Sequence, residues 1–126
     1  MSVDATDQPS VFLDVYSGRP NPSWPLEGDT LQAVSDRLRE VEALFTEATP
    51  PPAALGYRGF RIVNLGADAP DAVLVGRGTV TLVRGKEVKH RPDTSDLEGL
   101  LLVEALTRGF ADLLKAAGAP TPRQTA

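Results

Sequence analysis

Eleven residues from Tyr16 to Leu26, YSGRPNPSWPL, concentrate side chains that recognise other molecules. Arg19 carries a planar guanidinium fork suited to a carboxylate or phosphate. Asn21 both donates and accepts, and Trp24 is a broad apolar plate with one N–H. Tyr16, Ser17 and Asp14 enter from the end of the preceding strand. Arg58 and Arg61, in YRGFR, reach the same region if their strand lies beside the first. Pro20, Pro22 and Pro25 fix their own φ, and Arg19 and Asn21, each preceding a proline, are biased to extended backbone. Ordering such a loop costs little entropy, which is what a preorganised contact surface requires. The expected ligand- or partner-contacting residues are therefore Arg19, Asn21, Trp24, Tyr16, Ser17 and Arg58. A packing role is equally concrete. In it Trp24 and Leu26 fill the gap between strand and helix, Asn21 satisfies backbone groups in the turn, and Arg19 pairs with Asp14 or a helix glutamate.

Catalysis has one candidate pair. Asp14 and Tyr16 share a strand face, and a carboxylate beside an aromatic ring can act in acid–base chemistry, with Arg19 or Arg58 steadying an oxyanion. Other chemistries lack their residues. The chain has no cysteine, which removes disulfides, thiolate metal sites and thiol nucleophiles. His90 is the single histidine, so no paired-histidine metal motif can form. It is read as a solvated residue at a strand end. GRGTVTLVRGK lacks the glycine spacing of a phosphate loop, and a strand follows where a helix should. Arg84, Lys86, Lys89 and Arg91 make a basic ribbon, but no aromatic residues interleave with it to stack bases. No metal or cofactor is expected.

These side chains need a scaffold, and the hydrophobic periodicity supplies one. Val11, Leu13 and Val15 alternate with Phe12, Asp14 and Tyr16 as a first strand. Asp29 is placed to cap a first helix, with Gln32 three residues on. Leu31, Val34, Leu38, Val41, Leu44 and Phe45 form its apolar stripe, and TPPP stops it near Ala48. GYRGFRIVNLG and DAVLVGRG read as two further strands. TVTLVRGKEVKHR reads as a hairpin turning at Gly85-Lys86, with Arg84 opposite Glu87 and Val83 opposite Val88. A last helix starts near Asp93, Thr94 or Ser95, presents Leu97, Leu100, Leu101, Leu106, Phe110, Leu113 and Leu114, and ends at Gly118. The prediction is an α+β domain, a small mainly antiparallel sheet with two helices packed on it, in the order β-α-β-β-β-α. Residues 1–9 are expected to be a flexible N-terminus, 10–118 the single domain and 119–126 a disordered tail.

Composition limits the partners. The 126 residues suit one domain, and 41% hydrophobic content is enough for a core. A net charge of −4 opposes general affinity for nucleic acid or anionic membranes. No apolar run reaches the ~18 residues of a membrane span, and the N-terminus has no signal-peptide pattern. A cytoplasmic location is expected.

DVYSGRPNPSW, followed by GYRGF, resembles a group of uncharacterised small bacterial proteins that share a Ser-Gly-Arg-Pro-Asn-Pro-x-Trp stretch. The resemblance covers the first strand, the loop and the second strand. It implies that the loop recurs, and it brings no known activity or catalytic residues. The leading expectation is a non-catalytic cytoplasmic binding or accessory protein. Its rigid loop would contact a small anionic ligand or an acidic segment of a partner protein. One alternative is a small cofactor-free enzyme of the cyclase or isomerase type using Asp14 and Tyr16. Another is an assembly subunit forming a homodimer through the last helix, residues 97–114.

Overall fold

The computed structural model describes residues 8–15, 20–50 and 56–120. The expected flexible segment before Gln8 and the tail after Pro120 lie outside these residues. The elements are β1 (Ser10–Leu13), β2 (Ser23–Pro25), α1 (Gly28–Glu42), β3 (Phe60–Val63), β4 (Ala72–Gly76), β5 (Thr79–Arg84), β6 (Glu87–Pro92), α2 (Leu97–Thr107) and α3 (Ala111–Ala117). The strands form one antiparallel sheet in the order β2-β1-β3-β4-β5-β6.

Strand alternation sets the layers. Val11, Ile62, Val73 and Leu82 lie opposite one another across β1, β3, β4 and β5, as do Leu13 and Phe60, Val75 and Val80. These rows point to one side of the sheet. There they join Val34, Leu38 and Val41 of α1 and Leu97, Leu101, Leu102 and Ala105 of α2 in a single core. The helices therefore cover one face. The α+β class and antiparallel sheet agree with the sequence reading, as does the β5–β6 register of Arg84 on Glu87 and Val83 on Val88.

The predicted order counted the β5–β6 hairpin as one strand; beyond that, the structure adds two elements and shortens one helix. First, the proline loop contains a strand. Trp24 pairs with Val11, and the amides of Leu13 and Leu26 donate to the carbonyls of Pro22 and Pro9. Second, the last helix is two helices. The amide of Gly109 donates to Leu106 and that of Phe110 to Ala105, and Gly109 takes φ 92°, so the chain closes α2 with a glycine-dependent C-terminal motif. Gly118 ends α3 in the same left-handed conformation, as expected. Third, α1 stops at Glu42, short of Ala48. The following segment instead joins the sheet: Ala48 N–H donates to the His90 carbonyl, and the Thr79 hydroxyl donates to Thr49. Phe45, expected in the core, is exposed as a result.

The caps also moved. α1 begins at Gly28 behind Glu27, with no side-chain cap, so Asp29 is already helical. In α2 the N-cap is Asp96, whose carboxylate accepts from Gly99 N–H at 3.1 Å. Asp93, one of the expected caps, serves the same helix end from further back and accepts from the amides of Leu97 (2.8 Å) and Glu98 (2.9 Å). Of the leucine face expected to serve as core or dimer seam, Leu97, Leu101, Leu102 and Leu114 are buried, while Val103 and Leu106 remain outside.

Candidate functional site

Beyond Leu13 the first strand continues to pair with the approach to β3. Asp14 N–H donates to Gly59, and Arg58 N–H donates to Asp14, both at 2.9 Å. Gly59 makes this possible. It holds φ 105°, and a Cβ there would lie 2.1 Å from the Val75 carbonyl oxygen, so only glycine fits between the strands. The Arg58 side chain, released by this bend, turns to Asp14. Its Nη2 and Nε donate to Asp14 Oδ1 at 2.8 and 3.2 Å. Asn21 completes the cluster: its Oδ1 accepts from Val15 N–H at 3.0 Å, and its Nδ2 donates to the same Asp14 oxygen at 3.3 Å.

Of the predicted contact residues, this cluster unites Asn21 and Arg58 with Asp14. Tyr16, Ser17 and Arg19 lie outside the described residues. Trp24 is not held outward. It is 4% exposed, stacked on Phe110 at 5.7 Å and edge-on to Phe60 at 6.3 Å. The reason is strand parity, since Trp24 sits opposite Val11 and so faces the helices. Asn21 bonds the backbone, as the packing reading required. The described part of the loop is thus a clasp on the strand end. Asp14 Oδ1 is engaged by three N–H donors from Arg58 and Asn21, a geometry that makes this carboxylate a fastening point for both side chains.

Arg61 takes a different position. It lies opposite Phe12 on the face of the sheet away from the helices, with its guanidinium carbon 4.7 Å from the Phe12 ring centre. Arg61 is exposed, and among the described residues no carboxylate pairs with it. The side chain is held flat by the ring while its N–H fork remains available. His90, expected to be solvated, instead has its Nδ1 2.8 Å from the Thr81 hydroxyl.

A second cluster was not foreseen. Glu98, read from sequence only as a first-turn acid, is 8% exposed. Its Oε2 accepts the Tyr57 hydroxyl at 2.6 Å and the Arg77 amide at 3.0 Å, and its Oε1 accepts the Gly78 amide at 3.2 Å. Arg77 and Gly78 form the β4–β5 turn with φ of 52° and 83°, a hairpin geometry that a non-glycine residue adopts at some cost. Glu98 holds that turn to the start of α2. Burial, then the hydrogen bond to Glu98 and its charge, push the Tyr57 hydroxyl far above the ordinary tyrosine range, so Tyr57 acts as a fixed donor. Beside it lies an open cavity of about 510 Å3 lined by Arg77, Asp93, Asp96 and Glu98 among others. Burial raises the Asp93 carboxyl, and the helix amides it accepts from oppose that shift. Among the described residues no group of three or more acidic, histidine or cysteine side chains is placed to hold a metal ion. What could have signalled Glu98 in the sequence is the Arg77-Gly78 pair, a strained turn lacking its usual asparagine or aspartate.

No family model matches the chain, and neither does any curated protein or solved structure. No helix among the described residues is long and apolar enough to cross a membrane. Function has to be read from the geometry alone.

Proposed function

We propose that the protein is a non-catalytic binding or accessory module that contacts a small anionic ligand or an acidic partner segment at the loop end of its sheet. The carrying observation is Arg61, an exposed guanidinium stacked on Phe12 with no carboxylate partner among the described residues. Its immobilisation lowers the entropy cost of binding an anion, and arginine beside an aromatic ring is a composition that recurs at contact hot spots. The clasp supports this reading from behind. Asn21, Asp14 and Arg58 tie the loop to β1 two residues beyond Phe12, so the strand end that carries the ring is rigid. Asp14 serves here as a positioning residue, which favours binding over the acid–base alternative.

The test is a titration of isotope-labelled protein with inorganic phosphate and with a short unstructured glutamate-rich peptide, followed by amide shifts. The amides of Phe12, Arg61 and Leu74 should move, and Arg61→Ala should weaken binding at least fivefold with Arg61→Lys intermediate. Equal binding by wild type and Arg61→Ala would overturn the reading, as would shifts confined to other surfaces.

A further inference from the structure

We infer that the open face of the sheet is a docking surface for an acidic amphipathic helix of a partner protein. The inference rests on the binding reading above and extends it from one guanidinium to a whole face.

The face is mixed by register, with one row wholly aliphatic. Phe12 lies opposite Arg61, which lies opposite Leu74, and that row ends in the hydrogen-bonded Thr81 and His90; Val63, Ala72, Val83 and Val88 form the neighbouring aliphatic row across β3, β4, β5 and β6. Leu74 is 40% exposed and Val88 53%. All helices of the described residues pack on the opposite side. A one-sided antiparallel sheet ordinarily turns polar residues to water on its open face. Here that alternation is broken: both faces carry aliphatic side chains in β3, β4 and β5.

The edges direct a partner to the face and away from strand addition. β2 is three residues long and contains Pro25. The outward row of β6 is interrupted where His90 accepts from Ala48, and Lys89 and Glu87 flank it as an ion pair at 3.5 Å. Short, proline-bearing and charged edges resist pairing. A helix is the element that covers a sheet face. Five strands from β1 to β6 span about 19 Å at the usual spacing, which a helix of roughly 13 residues matches.

Charge selects the occupant. The rows of this face hold one cation without a carboxylate partner, Arg61, and the neighbouring carboxylate, Asp14, is already taken by Arg58. A second copy docked through the same face would bring another Arg61 and, in the described rows of that face, no carboxylate. A helix with leucine-type residues on one side and glutamates flanking them supplies what the face lacks.

The experiment uses two labelled synthetic peptides of identical composition. One arranges leucines at helical spacing with flanking glutamates and is helix-stabilised; the other is scrambled and unstructured. The helical peptide should bind at least tenfold tighter and move the amides of Val63, Leu74, Val83 and Val88. Leu74→Asp, and separately Val88→Asp in case the first variant folds poorly, should each weaken it at least tenfold, as should replacing the peptide's glutamates with lysines. If both peptides bind equally through Arg61, the helix inference fails while the binding reading stands. If neither binds, both fail. If the protein alone doubles in mass with concentration and Leu74→Asp abolishes that, the face is homotypic and the inference is wrong.

Discussion

Tyr57→Phe isolates the bond that ties the β3 approach to α2. The substitution keeps the ring, and with it the edge contact to Phe60 at 6.1 Å and the Arg77 guanidinium 5.9 Å away. It removes only the hydroxyl, which donates to Glu98 at 2.6 Å in a site where Tyr57 is wholly buried. A hydrogen bond to a charged group contributes about 1.5–3 kcal/mol. Glu98 retains the amides of Arg77 and Gly78, so its carboxylate is not orphaned, and a value near the middle, about 2 kcal/mol, is expected. Against a total stability of about 5–15 kcal/mol this is large, and it corresponds to a melting-point drop of roughly 8 °C. Urea denaturation should show a lower midpoint with an unchanged slope. A cycle with Glu98→Gln should return a coupling above about 1 kcal/mol, since the two groups share one bond. A loss under about 0.5 kcal/mol, or a coupling near zero, would show that the bond does not hold these elements together.

Two further predictions concern the strand end and the α2 start. Asn21→Ala leaves the amide of Val15 without its acceptor in a largely buried position, so stability should fall by about 1–3 kcal/mol. Binding per folded molecule, measured by the phosphate titration, should change less than twofold; a large binding loss with unchanged stability would make Asn21 a contact residue. Asp93 has its folded pKa raised above the ordinary 3.8 by burial. Its contribution to stability is therefore fully present below that value and is lost as pH rises through the folded pKa. Urea midpoints of wild type minus Asp93→Asn should decline from pH 3 to pH 7, and a flat or rising difference would contradict the burial assigned to Asp93.

Much of the fold could be read from local pattern because its signals were local. Val11, Leu13 and Val15 alternate cleanly and all face the core, and a glycine-led two-residue turn set the β5–β6 register. The failures share a cause in distant partners. α1 carries helical periodicity past Glu42, yet Ala48 and Thr49 gain hydrogen bonds to His90 and Thr79, some thirty to forty residues on. Ser23–Pro25 is too short and too proline-rich to announce a strand, and it forms because β1 offers an unpaired edge. At the candidate site, residue types drew attention to Asn21 and Arg58, but Arg61, placed only as a neighbour of Arg58, proved the exposed one. Its side of the sheet depended on the Phe12 pairing. Glu98 looked like any first-turn acid until the Arg77-Gly78 turn was brought against it.

The density of proline in the loop now has a physical account that does not need a ligand. Leu13 and Leu26 donate to Pro22 and Pro9 across the β1 edge. Backbone groups alternate direction along a strand, so between those two bonds Trp24 faces β1 while Ser23 and Pro25 face outward. Pro22 accepts from Leu13 through its carbonyl but has no N–H to return the reciprocal bond, so the β1–β2 ladder ends there. Pro25 has no donor to offer at the position where an incoming strand would need one. The same alternation turns the Trp24 ring toward Phe60 and Phe110, which anchors the edge from below. The Pro22–Leu26 part of the loop thus closes the sheet on one side. With that edge closed, Leu74 and Val88 are the large exposed apolar side chains of the sheet among the described residues, both on the open face that carries Arg61. On the binding reading proposed above, the loop that suggested a recognition element instead leaves the neighbouring face as the place of contact.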